Sequence, residues 1–245
     1  MSSPQPAPGG RVITITFAVD ARRRQLINRK DVNPVQIAIL LFDRFTALDA
    51  IGPNEVLTRL PGAETVFVGE RVGPVRTDLG SLALPAQATL GEVTRPDIVV
   101  VPGGPGQQAH MADGPIHEWL RAVDKTTTWT TSVCTGSLIL AAVGLLTGRR
   151  AASHWLALEQ LLALGAMPTG DRVVFDGKYV TAAGVSSGID MALTLAGRIA
   201  GDATAQMIQL GIEYDPQPPY TAGSPDTAPA EIAAMLRANP ALVLS

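Results

Sequence analysis

The sequence has a single cysteine, Cys134, among its 245 residues. One thiol excludes an internal disulfide and a thiol cluster for zinc, and it favours a reducing, cytoplasmic environment. Aromatic residues are also scarce, at 4% of the chain. A core must therefore be built from Val, Ile, Leu and Ala, which is typical of a buried parallel sheet covered by helices.

The chain also lacks excess positive charge and long apolar runs. Its formal net charge is −3, which gives no basic field to hold a phosphate backbone, so we expect no nucleic-acid partner. The longest strongly apolar run, residues 137–146, is about half of the roughly 20 residues that a membrane-spanning helix needs. In a signal peptide, positive charges precede the apolar stretch and a cleavage site follows it. Here the arginines follow the apolar stretch 12–19, and no cleavage pattern follows it. We therefore expect neither a membrane anchor nor a signal peptide.

Residues 1–33 and 34–245 differ in composition. The first segment is rich in Ser, Pro and Gly at 1–10, and we expect a partly disordered N-terminal extension with a short strand at 12–19. The second is long enough to bury one core, and we expect a single domain. Its apolar patterns predict strands at 35–42, 65–69, 97–102, 129–133, 172–176 and 179–182, the last two as a hairpin. They predict helices at 47–60, 115–124, 135–146, 154–164, 187–200, 203–213 and 230–238. Strands that alternate with helices predict a mostly parallel α/β sheet.

Three loops that follow predicted strands carry residues of chemical interest. In a parallel sheet these loops meet at one edge, where sites form. Cys134 stands where an apolar strand gives way to a helix, and such a turn presents a nucleophile at the positive end of the helix dipole, which favours the thiolate. The alternative is a buried, inert cysteine, because free cysteine is among the most buried residue types.

Asp49 and the Gly-Gly-Pro-Gly run at 103–106 lie in the other two loops. A carboxyl among apolar neighbours is expected to have a raised pKa and to donate or relay a proton, although Asp49 is equally explained as a charge in the first turn of its helix. Glycines let amides approach a developing negative charge, so Gly104 N–H and Cys134 N–H are candidates for an anion hole. By itself the glycine run is also explained as a turn.

The remaining polar candidates have competing interpretations. Thr135 either places its hydroxyl near the sulfur or is only a favourable residue for the first turn of the helix predicted at 135–146. His154 is a candidate partner for the cysteine, or a structural residue, with Ser153 as the predicted N-cap of the helix at 154–164. We expect His110 and His117 to lie on the surface.

Several motifs together resemble the ThiJ/PfpI superfamily, which has a glutamine amidotransferase-like fold. They are Val-Pro-Gly-Gly at 101–104, Ser-Val-Cys-Thr-Gly-Ser at 132–137, Gly-Leu-Leu-Thr-Gly-Arg-Arg-Ala at 144–151 and His-Trp at 154–155. The resemblance extends from about residue 35 to residue 236. It implies a flavodoxin-like α/β fold in which helices sandwich a mostly parallel sheet and the nucleophile lies on a strand-to-helix turn.

Three further features resemble the members of the superfamily that hydrate isocyanides. They are aspartate in Leu-Asp-x-x-Gly-Pro at 48–53, Thr-Gly-Ser after the cysteine, and the segment 213–229. The resemblance implies that Cys134 attacks the terminal carbon of the isocyanide and forms a thioimidate, while Asp49 acts as general acid and base. Water then releases an N-substituted formamide, without a metal or an organic cofactor.

The resemblance also implies supporting roles and an assembly. The residues implied to orient the substrate and water, or to wall the pocket, are Thr135, Gly103, Gly104 and Val185. Relatives are commonly dimers, and we expect a homodimer that acts on a small molecule. An apolar helix face and the proline-rich segment 216–225 fit such an interface.

Other activities in the superfamily remain as alternatives. Peptidase or amidase chemistry needs a base beside the nucleophile, and Thr135 is not one. A redox or carbonyl-stress role, as a glyoxalase or a cysteine sensor, stays open. AraC-type regulators carry a similar ligand-binding domain with a C-terminal helix-turn-helix region of roughly a hundred residues. Because this sequence ends at residue 245 without a basic recognition helix, we expect no binding to DNA.

Overall fold

The computed structural model describes residues 34–241, so the predicted extension at 1–33 lies outside the described residues. The strands are β1 (Val35–Leu40), β2 (Ala63–Gly69), β3 (Gly73–Arg76), β4 (Ala83–Ala86), β5 (Ala88–Thr89), β6 (Ile98–Val101), β7 (Trp129–Val133), β8 (Arg150–Ala151), β9 (Met167–Pro168), β10 (Val173–Asp176) and β11 (Tyr179–Ala182). The helices are α1 (Ala47–Leu57), α2 (Pro115–Asp124), α3 (Gly136–Ala142), α4 (Leu158–Ala163), α5 (Ser187–Ala200), α6 (Asp202–Gly211) and α7 (Ala230–Ala238). Two 3-10 segments, Pro105–His110 and Trp155–Ala157, complete the order.

A seven-stranded sheet forms the centre, in the order β10-β11-β7-β6-β1-β2-β5. Every neighbouring pair is parallel except the β10–β11 hairpin. The apolar strands β1, β6 and β7 occupy the middle, and all four residues of β6 are buried. The helix-flanked sheet confirms the predicted flavodoxin-like α/β fold.

The strand register brings the predicted loops to one edge. Val101 at the end of β6 pairs with Ser132 of β7, and Val133 pairs with Ala182 at the end of β11. Because these strands are parallel and end at the same level, the glycine run, Cys134 and the turn after β11 leave the sheet side by side.

Close packing of α1 against α5 places Asp49 near this edge. A Cβ at Gly52 would lie 3.1 Å from Cγ1 of Ile189, and a Cβ at Gly188 would lie 3.2 Å from the ring of Pro53. Both helices therefore use glycine where they meet, because a larger residue would separate them.

Several predicted helices are shorter in the structure. The helix predicted at 135–146 ends at Ala142, and Gly144 then adopts a left-handed φ of 91°. The helix predicted at 154–164 divides into the 3-10 segment Trp155–Ala157 and α4. The prediction of Ser153 as its N-cap is wrong: the Nδ1 atom of His154 accepts the Leu156 N–H instead.

The β3–β4 hairpin was not predicted from the sequence. Its antiparallel strands are short and contain Pro74 and Pro85, so they lack the long alternating pattern of a strand. The segment that joins them makes a bridge between Phe45 and Thr77 and brings Asp78 to the start of α1, where the Thr46 hydroxyl donates to Oδ2 of Asp78 at 2.8 Å.

Among residues 34–241, every helix is too short or too polar to cross a membrane.

Candidate active site

Cys134 occupies a sharp turn between β7 and α3. Its φ is 57°, a left-handed conformation that is rare for a residue with a side chain. Hydrogen bonds from other elements hold it there. Its N–H donates to the carbonyls of Ala182 and Ala183 at 3.1 and 2.9 Å. Its own carbonyl accepts the hydroxyls of Ser137 and Ser153, both at 3.1 Å. The strained backbone at a strand-to-helix turn is typical of a nucleophile position.

Two glycines make room for this turn. A Cβ at Gly136 would lie 2.1 Å from the Val101 carbonyl oxygen, which is inside contact distance. A Cβ at Gly103 would lie 2.5 Å from the Thr135 nitrogen and 3.0 Å from Oδ2 of Asp49. The glycines therefore allow the loop after β6 to touch both the nucleophile turn and α1.

Asp49 is fully buried and faces the cysteine. Its Oδ2 accepts the Gly103 N–H at 2.8 Å, and the carboxyl interacts with the Cys134 thiol. Among the described residues, no N–H or O–H group pairs with Oδ1. Burial raises the pKa of Asp49 to about 7, and the charge of Asp78 adds to the effect. The predicted rise in pKa is confirmed, and a carboxyl that titrates near neutrality is suited to proton transfer.

The expectation that a helix dipole keeps Cys134 ionised is wrong for the free protein. Burial, and then the charge of Asp49, raise the pKa of the thiol well above its ordinary value. The amides of Val185 and Thr135 and the Thr135 hydroxyl oppose this rise without reversing it. Only 3% of Cys134 is exposed and α3 has seven residues, so desolvation outweighs the dipole. The sulfur therefore keeps its proton beside a carboxyl that is able to accept it.

The anion hole predicted from Gly104 and Cys134 is also wrong. The Gly104 N–H donates to Oγ1 of Thr135 at 2.9 Å, and the Cys134 N–H is used by the end of β11. The amides that reach the sulfur belong to Thr135 and Val185.

Thr135 and Val185 thus surround the sulfur together with Asp49. The hydroxyl of Thr135 links the glycine run to the sulfur, as its position after the cysteine suggested. Sequence reasoning placed Val185 in the pocket wall but missed its amide, because no side-chain pattern shows where a backbone N–H points. It also missed the role of Ser137 and Ser153, whose hydroxyls donate to the Cys134 carbonyl.

The three histidines are partly or fully buried. His154 is buried, and burial lowers its pKa to about 4, so it is neutral. It is not among the groups that shift the pKa of Cys134. The expectation that His117 lies on the surface is wrong: it is buried, with Nε2 at 2.8 Å from the His110 carbonyl oxygen. His110 is half-buried, with its ring centroid 5.2 Å from that of Phe42.

A cavity of about 920 Å³ lies at the same edge of the sheet, between the loops after β1 and β2 and the 3-10 segment Pro105–His110. Its lining includes Arg44, Arg71 and Gly106 but not Cys134. In the turn 183–186, Val185, whose amide interacts with the sulfur, is partly exposed. Within residues 34–241, no group of three or more His, Cys, Asp and Glu side chains is placed to hold a metal ion.

A helix-flanked, mostly parallel sheet with a cysteine on a strand-to-helix turn defines a flavodoxin-like α/β protein. The DJ-1/PfpI family profile matches residues 35–198, and the chain belongs to that family.

Named relatives agree with this assignment. An isonitrile hydratase from Pseudomonas putida is 43% identical over 212 residues, which cover 86% of this chain and 92% of the relative. The crystal structure of a ThiJ/PfpI family protein from Pseudomonas syringae superposes with a TM-score of 0.83 at 37% identity, covering 86% of this chain and 88% of the other. A glutathione-independent glyoxalase from Caenorhabditis elegans is 26% identical over 156 residues, or 63% of this chain and 82% of the relative.

Proposed function

We propose that this protein is an enzyme that hydrates isocyanides to N-substituted formamides, with Cys134 as nucleophile and Asp49 as general acid and base. The observation that carries the proposal is a fully buried carboxyl with a pKa of about 7 that interacts with the chain's one thiol. The 43% identity to an isonitrile hydratase, which extends over most of both chains, supports it.

The first half of the reaction forms a carbon–sulfur bond. Asp49 takes the thiol proton as the sulfur attacks the terminal carbon of R–N≡C, so the thiolate exists only while it reacts. As the carbon–sulfur bond forms, one π pair of the carbon–nitrogen bond moves to the nitrogen. The carbon keeps the lone pair that it already carries, and Asp49 returns the proton to that lone pair. The product is the thioimidate R–N=CH–S–Cys134, with no net loss or gain of protons, and Asp49 is again a carboxylate.

The second half adds water. Asp49 accepts a proton from water as the oxygen bonds to the thioimidate carbon, and it passes that proton to the nitrogen. The remaining hydroxyl proton moves through Asp49 to the departing sulfur as the carbon–sulfur bond breaks. The products are R–NH–CHO and the free thiol, so one water molecule is consumed in each turnover.

The surrounding groups lower the cost of charge on the sulfur. The Thr135 and Val185 amides and the Thr135 hydroxyl interact with the thiolate that forms as the proton leaves. Gly103 fixes the carboxyl through its N–H, and Gly104 holds the Thr135 hydroxyl. We propose that the substrate reaches the sulfur past the partly exposed Val185.

The test is a side-by-side assay of purified protein with an aryl isocyanide and with methylglyoxal. The proposal predicts formamide from the first and no lactate from the second. Turnover of methylglyoxal alone would favour a glyoxalase instead, which the glyoxalase relative makes the second candidate.

A further inference from the structure

His154 packs against the turn that carries the Val185 amide to the sulfur. A Cβ at Gly184 would lie 2.8 Å from Cδ2 of the His154 ring and 3.5 Å from Nε2. The ring therefore contacts the backbone at position 184 more closely than a side chain there permits. Because the amide of Val185 belongs to the next residue and interacts with the sulfur, the ring fixes the position of that amide.

The segment that carries His154 is bonded to the nucleophile turn. The Ser153 hydroxyl donates to the Cys134 carbonyl at 3.1 Å. The His154 carbonyl accepts the Ala157 N–H at 2.8 Å, and Nδ1 accepts the Leu156 N–H at 3.3 Å. The ring is thus fixed relative to Cys134 on one side and touches the 184–185 turn on the other.

The ring contributes no charge to the thiol. Burial lowers the pKa of His154 to about 4, so it is neutral at physiological pH. Among the described residues, the charged group that interacts with the Cys134 thiol is Asp49, which faces it from α1. Replacing His154 therefore removes packing but no charge, and a change in the titration of the thiol reports on geometry.

We propose that His154 is a positioning residue: through Gly184 it holds the Val185 amide against the Cys134 sulfur, where that amide stabilises the thiolate as it forms. The inference rests on the proposed use of Cys134 as nucleophile. It does not make His154 a base, because His154 is not among the groups that shift the pKa of the Cys134 thiol.

The test measures the pH dependence of Cys134 alkylation by iodoacetamide, followed by intact-protein mass spectrometry. Because the chain has one cysteine, the signal is unambiguous. His154→Ala is expected to shift the rising limb to higher pH and to slow alkylation at a fixed neutral pH about tenfold, since a hydrogen bond to the thiolate is weakened. A change in access to the sulfur would scale the whole profile without moving it.

Two variants separate positioning from general destabilisation. His154→Phe keeps a flat ring against Gly184 and is expected to keep the wild-type profile. His117→Ala removes another buried histidine, one that is bonded to the His110 carbonyl and does not act on the thiol, and it is the matched control expected to leave the profile unchanged. If His154→Ala does not fold, the single variant Gly184→Ala still tests whether the contact between positions 154 and 184 controls the thiol.

Gly184→Ala inserts a methyl group at the contact and is expected to shift the profile in the same direction as His154→Ala. The double variant His154→Ala/Gly184→Ala removes the clash, so the two shifts should not add. The inference is overturned by a wild-type profile in Gly184→Ala or His154→Ala, or by strictly additive shifts. Failure of the proposed function would look different: the variants would show the expected shifts in alkylation, but the wild-type protein would leave isocyanides unchanged.

Discussion

The proton between Asp49 and Cys134 determines how the rate should depend on pH. Asp49 accepts the thiol proton only when it is ionised, and its pKa is about 7. We predict that kcat/KM for an aryl isocyanide rises with pH through about 7 and falls again when the thiol loses its proton at much higher pH. A rate that stays constant through neutrality and rises only with thiol ionisation would contradict a carboxylate base.

Asp49→Asn should separate thiol reactivity from turnover. The substitution removes the charge that helps to raise the thiol pKa, so alkylation of Cys134 at a fixed pH should become faster. Hydration should fall about 10²- to 10⁴-fold, because the general acid and base is lost. Both are measured on the same preparation, by mass spectrometry and by formamide release. Slower alkylation together with retained hydration would exclude the assigned role.

Asp49 should also make stability depend on pH. Its pKa is raised from 3.8 to about 7 by folding, so the folded state binds the proton more tightly than the unfolded state. The contribution is fully present below about 3.8 and is lost as pH rises through about 7. We predict that, as the pH rises from acid to mildly alkaline, the free energy of unfolding of Asp49→Asn increases relative to that of the wild type. The increase is a few kcal/mol, on the order of 1.4 kcal/mol per pKa unit. Urea unfolding at several pH values measures this difference. A difference between the two proteins that stays constant with pH would contradict the prediction.

At the level of elements, the approach of β6 to the nucleophile turn depends on Gly136. A Cβ there would lie 2.1 Å from the Val101 carbonyl oxygen, whereas a Cβ at Gly91 meets no atom within 4 Å. We predict that Gly136→Ala lowers the free energy of unfolding by about 1–3 kcal/mol or more, and that Gly91→Ala changes it by less than about 0.5. Equal urea midpoints for the two variants would show that the turn relaxes freely.

Elements with a long apolar pattern were predictable from the sequence. The bounds of α2, α5 and α7 agree with the prediction, because their patterns end at clear polar or glycine positions, and the bounds of β7 agree as well. The β3–β4 hairpin was not predictable, since strands of four residues with proline depend on tertiary contacts rather than on local preference.

The site was predictable in its side chains but not in its backbone. Parallel strands bring Asp49, Gly103 and Cys134 to one edge, and the sequence alone indicated this. The directions of the Gly104 and Val185 amides depend on the backbone of the folded loops, which no side-chain pattern specifies. The burial that reverses the expected thiol pKa is likewise a property of the assembled fold.

At the scale of the whole molecule, we propose a homodimer. We propose that its interface includes Leu210 of α6, which is 82% exposed, and Tyr220 in the proline-rich segment, which is 79% exposed. Light scattering should give twice the chain mass of 25.6 kDa. Leu210→Glu should reduce the mass toward that of one chain. A wild-type mass of a single chain at micromolar concentration would contradict the proposal.

The covalent step is tested most directly by intact-protein mass spectrometry of enzyme mixed with an aryl isocyanide and quenched in acid during turnover. The account predicts that the chain gains the full mass of the isocyanide, that the added group lies on Cys134, and that Cys134→Ala neither gains it nor releases formamide. Formamide release by Cys134→Ala at the wild-type rate, or turnover with Cys134 always unmodified, would contradict it.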